Sequence, residues 1–222
     1  TRVTLNVVAC CHAVDPAVLK AVLAIDDQQL AESLRRAAAA GLLITVEDAA
    51  AGTAHFRFVH GEVQRVLLAR LTAEQRRAAH LRIADFLLCT SVPGTRAELI
   101  FTIVGHLVAA LDPARNGARA PEVAALFLEA SQAALAITAI DTAAQYAEHA
   151  LTWAAAIPDG WRTAYQLNLE GHELAARMAL YTADYERLAQ LSKTILQEAQ
   201  TPIDKAGVYK SCITAATLQG DY

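Results

Sequence analysis

Two short stretches, Leu42-Leu43-Ile44-Thr45-Val46 and His55-Phe56-Arg57-Phe58-Val59, decide the fold because they interrupt a sequence that otherwise has a helical pattern. Both are rich in the β-branched and aromatic residues that favour strands. The stretch from Asp48 to Ala54 lies between them and is turn-like in composition. Two strand-like runs around such a turn predict a β-hairpin.

Helices are predicted on the N-terminal side of this hairpin. Asp15-Pro16 places a good N-cap residue before a proline that suits the first helical turn, and apolar residues follow at helical spacing. Asp26 begins a second helix. Gly41 is expected to end it, because glycine readily adopts the left-handed conformation that closes many helices.

Two more helices are predicted after the hairpin. The first runs from about Glu62 to Leu71. The second opens at Thr72-Ala73-Glu74-Gln75, which has the pattern of a capping box, and it carries His80. Helices followed by a two-stranded wing and another helix have the order of a winged-helix unit, which we predict for residues 1–71.

The rest of the chain reads as helices alone. Residues 72–120 are predicted to be connecting helices, and residues 121–222 to be tetratricopeptide-like helical hairpins. The predicted fold class is therefore mostly α: a winged-helix-like unit with a small β-hairpin, followed by an α-solenoid of such hairpins. The helix breaks fall at Asp112-Pro113 to Pro121, at Pro158-Asp159-Gly160 and at Thr201-Pro202.

The predicted repeats are irregular in length. Aligning the second helices of successive hairpins makes Ile140, Tyr185 and Tyr222 equivalent, at intervals of 45 and 37 residues. A regular tetratricopeptide repeat has about 34 residues. Small residues such as Gly171, at positions where helices face each other, are expected to let neighbouring helices approach closely.

Composition favours a soluble cytoplasmic protein. Of the 222 residues 55% are hydrophobic, which is ample for a core, but no apolar run reaches the roughly 20 residues of a membrane span. The N-terminus has no signal-peptide pattern. Cys10 and Cys11 are adjacent while Cys89 and Cys212 are isolated, which matches neither a disulfide framework nor a zinc site and favours a reducing compartment.

The two ends suggest a segment of a longer protein. The first residues read as the tail of a helix, and Gly220-Asp221-Tyr222 as the opening of another. We therefore expect further domains on the same polypeptide.

Charge argues against nucleic acid as a partner. Residues 1–71 contain 7 basic and 7 acidic residues, and residues 121–222 contain 6 and 12. The helix opened by Asp26 would be the recognition helix of a DNA-binding winged helix, yet Arg35 and Arg36 are balanced there by Asp27 and Glu32. Phosphate contacts supply most non-specific affinity for DNA, so DNA binding is not expected.

Three stretches carry a resemblance to a known class of proteins. Together they resemble the region that follows the nucleotide-binding core in signalling ATPases of the STAND type, which belong to the wider AAA group. The closest match is the group in which a Ser/Thr-kinase-like domain, this ATPase and its helical repeats precede a sensor histidine kinase of a two-component system. The stretches are Phe56 to Gln64, Arg76 to Ala84, and the half that contains Ala164-Tyr165-Gln166-Leu167 and Tyr181-Thr182-Ala183-Asp184-Tyr185.

The resemblance implies a non-catalytic regulatory and protein-interaction role. In such proteins the winged-helix unit packs on the ATPase core and helps to hold the ADP-bound state, while the repeats receive a protein or peptide ligand. The implied partners are thus a polypeptide ligand and the ATPase domain upstream in the same chain. An alternative is an inducer-binding segment of a regulator similar to the maltose-type transcription activators, which share this arrangement.

His60 is the one site residue that the resemblance implies. It resembles the histidine of a Met-His-Asp-like motif at the end of the wing, which contacts the β-phosphate of bound ADP; ADP or ATP is accordingly implied for the longer protein, not for this chain alone. An imidazole can donate a hydrogen bond to a phosphate oxygen. The acidic residue that usually follows is Gly61 here. On a strand that continues straight, His60 would share the packed side with Phe56 and Phe58, where a domain partner could lie. The alternative is a structural histidine at the end of a strand.

No catalytic residue, metal site or cofactor site is predicted within the chain. It contains no Gly-x-x-x-x-Gly-Lys-Ser/Thr loop, and three consecutive residues such as Cys10-Cys11-His12 cannot readily converge on one ion within a helix. Each of four helical histidines is expected to pack or to face solvent: His80, His106, His149 and His172. Six aromatic residues could pack in the core or anchor a ligand in a groove: Tyr146, Trp153, Trp161, Tyr165, Tyr181 and Tyr185.

Overall fold

The computed structural model describes residues 2–11, 14–48, 53–91 and 93–220. These residues are mostly helical with one small two-stranded antiparallel sheet, which confirms the mostly-α class. Contacts divide the chain into two compact units, Thr1–Leu111 and Asp112–Tyr222. Three parts of the predictions lie outside the described residues: His12, the middle of the turn at 49–52, and the C-terminal residues 221–222.

The first unit contains six helices and the hairpin within its described residues. They are α1 (Arg2–Ala9), α2 (Pro16–Leu23), α3 (Asp27–Ala39), β1 (Leu43–Asp48), β2 (Thr53–Phe58), α4 (Gly61–Arg70), α5 (Ala73–Thr90) and α6 (Pro93–Ala110). The long helices α5 and α6 pack against each other, and α5 also contacts α2. Helix α4 packs on α1 and β2.

Local signals set the helix starts in this unit, as predicted. The Asp15 side chain accepts a hydrogen bond from the Ala17 amide at 2.6 Å, and that of Asp26 accepts one from the Gln29 amide at 2.7 Å. The capping box is complete, because Thr72 and Gln75 each accept a hydrogen bond from the other's amide. Gly41 is left-handed with φ +67°, two residues after the last helical residue of α3.

The hairpin is longer than predicted on its turn side. Leu43 pairs with Phe58, and the register continues to Asp48 opposite Thr53. Asp48, Thr53 and Ala54 were expected in the turn but are strand residues. Threonine favours strands by itself, and ladder pairing with a partner strand can override the weak β-propensity of aspartate and alanine. Val14 adds a bridge by exchanging backbone hydrogen bonds of 3.1 and 3.0 Å with Phe56.

The second unit consists of helical hairpins. After a short 3₁₀ turn (Gly117–Arg119) come α7 (Ala120–Ala136), α8 (Ile140–Ala154), α9 (Gly160–Thr163), α10 (Tyr165–Tyr181), α11 (Tyr185–Glu198) and α12 (Ala206–Gln219). Helix α7 pairs with α8, and α10 pairs with α11. Helix α10 also packs on α8, and α12 packs on both α10 and α11.

The two hairpin turns are built alike. Thr138 follows α7 with φ +60°, and Ala183 follows α10 with φ +56°. The amides of Ala139 and Asp184, one residue further along, donate to the carbonyls of Ala134 and Ala179 at 2.9 and 2.8 Å. Corresponding residues of the two turns, such as Thr138 and Ala183, are 45 positions apart in the sequence. This is the interval predicted between Ile140 and Tyr185.

The end of α12 extends this correspondence. Gly220 caps α12 in the left-handed conformation with φ +78°, 37 residues after Ala183. Its amide lies 3.4 Å from the Thr217 carbonyl, matching the 3.2 Å contact from Ala183 to Leu180. Helices α7, α10 and α12 are therefore each followed by a left-handed residue.

Small and polar residues let these hairpins pack closely. Gly171 on α10 is buried where an added Cβ would lie 3.4 Å from the Leu151 side chain and 3.8 Å from that of Leu128. Ser131 on α7 is buried and donates a 2.7 Å hydrogen bond to the Ala143 carbonyl on α8. Fully buried large side chains form the core of the unit, among them Val123, Phe127, Met178, Ile195 and Val208.

Candidate functional site

His60 lies at the N-cap of α4 and is exposed. Strand β2 ends at Phe58. The alternation of side chains along a strand, which would have placed His60 on the same packed side as Phe58, therefore does not reach residue 60. Phe58 is buried, whereas the His60 side chain makes no capping hydrogen bond to α4. The imidazole is therefore open to a group outside this unit.

Two other histidines of the first unit meet across α5 and α6. The Nδ1 atoms of His80 and His106 are 2.7 Å apart, a hydrogen bond that requires at least one neutral ring. Burial and then the neighbouring His80 lower the pKa of His106 to about 4; burial and then Arg76 lower that of His80.

This histidine pair borders a cavity of about 400 Å³. Cys10 and Cys11 at the end of α1 also line it, and burial raises the pKa of the Cys11 thiol to about 12. Among the described residues no group of three or more His, Cys, Asp or Glu side chains could hold a metal ion. The two histidines form a partly buried hydrogen-bonded pair between α5 and α6.

Sequence reasoning treated these two histidines separately, because 26 residues separate them. One feature of the sequence could have indicated the pair: each histidine occupies the apolar stripe of its helix. His80 precedes the buried Ile83 and Leu87 at helical spacing, and His106 lies among the buried Ile103 and Ala110. A polar residue on such a stripe needs a buried partner.

A first groove in the second unit runs between α8 and α11. Arg187 on α11 crosses it and binds Glu148 on α8 through two hydrogen bonds, of 2.7 and 2.9 Å. Cavities of about 470 and 490 Å³ lie in this groove, and Glu148 and Arg187 line both. The larger is also lined by Trp161 and His172, whose ring centroids are 4.9 Å apart.

A second groove, of about 430 Å³, lies between α10 and α12, and we call it the α10–α12 groove. It is lined by Glu173, Arg177, Leu180 and Tyr181 from α10 and by Gly207, Lys210, Ser211 and Thr214 from α12. The Tyr181 side chain is 54% exposed. Burial raises the pKa of the Glu173 carboxyl, with Arg177 acting in the opposite direction.

A hydrogen-bond network fixes the position of α12 beside this groove. The Tyr165 hydroxyl donates to Asp204 Oδ2 at 2.6 Å and accepts from the Gln200 amide at 2.8 Å. Asp204 Oδ2 also accepts from the Thr201 amide at 3.0 Å. The connection between α11 and α12 is therefore tied to the start of α10.

The six aromatic residues have different environments. Trp153 is buried in the core, and Tyr165 holds the α11–α12 connection. Trp161 lines the groove between α8 and α11, and Tyr181 lines the α10–α12 groove. Tyr146 and Tyr185 are half-buried.

Comparisons with known proteins found no relative for this chain: no family model, no curated protein and no solved structure matches it. Within the described residues, none of the helices combines the length and the apolar character that crossing a bilayer requires.

Proposed function

We propose that the chain is a non-catalytic regulatory and protein-interaction segment of a multidomain signal-transduction ATPase with a histidine-kinase output. In this proposal the second unit is tetratricopeptide-like and binds a polypeptide partner. The first unit is winged-helix-like and passes that event to the nucleotide state of an ATPase core elsewhere in the same protein.

The observation that carries the interaction role is the repeated hairpin. The turns at Thr138 and Ala183 are alike, and α12 ends at Gly220 in the same way. Stacked helical hairpins bury a shared core while leaving continuous grooves between equivalent helices, which are well suited to binding polypeptides. The α10–α12 groove has this position.

The order of elements in the first unit supports the regulatory role. Two helices, a two-stranded hairpin and a further helix succeed one another from α2 to α4. His60 lies at the junction of hairpin and helix with its imidazole exposed, where an adjoining domain that binds ADP could present a phosphate.

The charges of α3 favour a protein partner over nucleic acid for this unit. Arg35 and Arg36 both hydrogen-bond to the Glu32 carboxylate of their own helix. Phosphate contacts would have to replace these bonds, which lowers the gain from binding a DNA backbone.

Nucleotide binding measured by calorimetry tests the proposal. We expect ADP to bind a longer form of the protein that contains the ATPase core, and neither ADP nor ATP to bind this chain alone. Tight binding by this chain alone would contradict the assignment of the nucleotide site to another domain.

His60→Ala in that longer form tests the sensor role. The substitution removes a hydrogen bond to a charged phosphate, which contributes about 1.5 to 3 kcal/mol, so ADP should bind at least tenfold more weakly. His149→Ala, which removes another exposed imidazole, is the control and should leave the affinity unchanged. Equal ADP affinity in the wild type and the His60 variant would remove this role.

A further inference from the structure

The larger cavity in the groove between α8 and α11, of about 490 Å³, contains two hydrogen-bond acceptors that have no donor within the described residues. We call it the Trp161 cavity. The first acceptor belongs to Asn168 on α10, which lines the cavity although it is only 4% exposed. The amide nitrogen of Asn168 donates to the Ala164 carbonyl at 3.1 Å. Because a carbonyl only accepts, this bond fixes which atom of the side chain is the oxygen Oδ1.

The Oδ1 atom of Asn168 is open to the cavity. It receives no hydrogen bond from the described residues, and among them no fully enclosed side-chain oxygen or nitrogen lacks a partner. Oδ1 therefore keeps access to the space beside it. Gly160 leaves room there, since a Cβ at residue 160 would lie 2.9 Å from the amide nitrogen of Asn168 and 3.5 Å from Oδ1. A ligand that donates to Oδ1 would satisfy a polar group that is otherwise poorly solvated.

The second acceptor is Nε2 of His172, which lies four residues after Asn168 and therefore on the same face of α10. The Nδ1 atom of His172 is 2.7 Å from the Asn168 backbone carbonyl, so Nδ1 carries the proton and donates. Burial is the main cause that lowers the pKa of His172, so the ring is neutral at pH 7 and Nε2 keeps its lone pair. Nε2 has no donor among the described residues.

An aromatic surface lies beside these acceptors. Trp161 is half-buried and lines the cavity. Its ring centroid is 4.9 Å from that of His172, and the two planes are tilted by 44°. Of the aromatic side chains, indole attracts cations most strongly, through the negative face of the ring. The cavity therefore combines two acceptors with a surface that favours a positive charge.

The charged groups that act at the cavity are negative on balance. Arg187 and Glu148 line it and bind each other through two hydrogen bonds. Glu148 and Glu198 both act on the His172 ring against Arg187, and Asp184 acts on Arg187. One cation thus faces three carboxylates. A positively charged ligand is favoured over a negatively charged one in such a field.

Two other cations near the cavity do not reverse this balance. Arg162 follows Trp161 in the chain, but it is bound to Asp159 at 3.1 Å. Lys193 is exposed on α11 and is not one of the residues that line the cavity.

We propose that the Trp161 cavity binds the guanidinium group of an arginine side chain on the polypeptide partner. This inference rests on the proposed interaction role and specifies which side chain is recognised. A guanidinium is planar and permanently charged and has five N–H donors. It can therefore stack on Trp161 while it donates to Asn168 Oδ1 and His172 Nε2. A lysine ammonium carries the same charge but has no plane to stack.

Tryptophan fluorescence of the 222-residue chain tests this inference. The chain has two tryptophans, and Trp153 is buried in the core, so a ligand in the cavity changes the emission of Trp161. The probes are three capped five-residue alanine peptides with arginine, citrulline or lysine at the centre. Citrulline keeps the planar shape without the charge. We expect the arginine peptide to bind at least tenfold more tightly than either of the others, and its affinity to fall as salt rises.

Two matched variants locate the site. His172→Phe keeps a ring beside Trp161 but removes Nε2, and should weaken binding of the arginine peptide at least fivefold. His149→Phe makes the same substitution at a histidine that lines the smaller cavity of the groove and not the Trp161 cavity, and should change the affinity less than twofold. Circular dichroism and the urea midpoint of both variants separate a lost site from a lost fold.

The outcomes distinguish this inference from the proposed function. No binding of the arginine peptide to the wild type, or equal affinity for the citrulline peptide, would overturn the guanidinium site. Equal affinity for the lysine peptide would overturn it as well, because charge alone would then suffice. An equal loss in the two variants would place the peptide elsewhere. Each of these results leaves the proposed interaction role standing, whereas the nucleotide measurements on the longer protein test the regulatory role separately.

Discussion

At the scale of single residues, the His80–His106 pair gives the first unit a defined response to pH. The hydrogen bond between the two rings requires at least one neutral imidazole. Arg76 adds a positive charge nearby. Cys10 and Cys11 line the same cavity as neutral thiols at physiological pH. Protonating both rings would place two positive charges against each other in a partly buried position, since the two Nδ1 atoms are 2.7 Å apart.

We expect the first unit to lose stability as pH falls from about 6.5 towards 4. The pKa values of both histidines are lowered in the folded state, so the unfolded state, with a histidine pKa near 6.5, binds more protons in this range. The stability that the two lowered histidine pKa values contribute to the folded state is fully present above pH 6.5. One pKa unit corresponds to about 1.4 kcal/mol, so hydrogen-exchange protection factors in α5 and α6 should fall at least tenfold between pH 7 and pH 5.

A matched pair of variants checks the cause. His106→Asn should flatten this pH dependence, because the ring that carries the largest lowering of pKa is gone. His149→Ala, in the second unit, should leave it as in the wild type. An unchanged slope in His106→Asn would show that other groups control the acid response.

At the scale of elements, sequence predicted what is encoded locally. Asp15, Asp26 and the Thr72–Gln75 pair cap helices through contacts with residues two or three positions away, so their neighbours in sequence were sufficient. The hairpin was also predicted, but its length was not. Backbone pairing extended both strands to Asp48 and Thr53. Aspartate has little strand preference of its own, whereas the strand preference of Thr53 was outweighed in the prediction by its turn-like neighbours.

The candidate sites depended on contacts that sequence does not display. His80 and His106 come together only because α5 and α6 pack side by side. Arg177 and Lys210 share a groove only because α12 returns along α10. Because the members of each pair are far apart in sequence, neither pair could be predicted. The exposure of His60 has another cause: strand β2 ends at Phe58, whereas the prediction of a packed side needed the strand to continue to residue 60.

We expect Tyr165→Phe to loosen α12 selectively. Without the hydroxyl, Asp204 loses a donor and the Gln200 amide loses its acceptor, so the connection before α12 is held by fewer bonds. Amides of α12 should exchange several-fold faster while those of α7 and α8 keep their rates. Tyr209→Phe is the control, since that ring is 52% exposed on α12 and its hydroxyl has no role in this network. Equal exchange of α12 in the wild type and Tyr165→Phe would contradict the structural role of the hydroxyl.

At the scale of the whole molecule, each unit has its own hydrophobic core. In residues 112–222 that core includes Phe127, Met178 and Ile195, which are buried by helices of the same unit. A segment that buries its own apolar side chains can fold alone. Both tryptophans, Trp153 and Trp161, belong to this unit, so their fluorescence reports on its folding.

We therefore expect residues 112–222, produced alone, to remain helical and to unfold cooperatively in urea. The tryptophan emission and the urea midpoint should match those of the full 222-residue chain, because α8, which carries the buried Trp153, packs on α7 and α10 of the same unit. Leu174→Ala should lower the midpoint in both forms by a similar amount, since removing a buried leucine side chain costs about 2 to 5 kcal/mol. A broad transition without cooperativity, or insensitivity to Leu174→Ala, would show that the helical hairpins need the preceding residues to form a fixed core, and the α10–α12 groove would then have to be studied in the full chain alone.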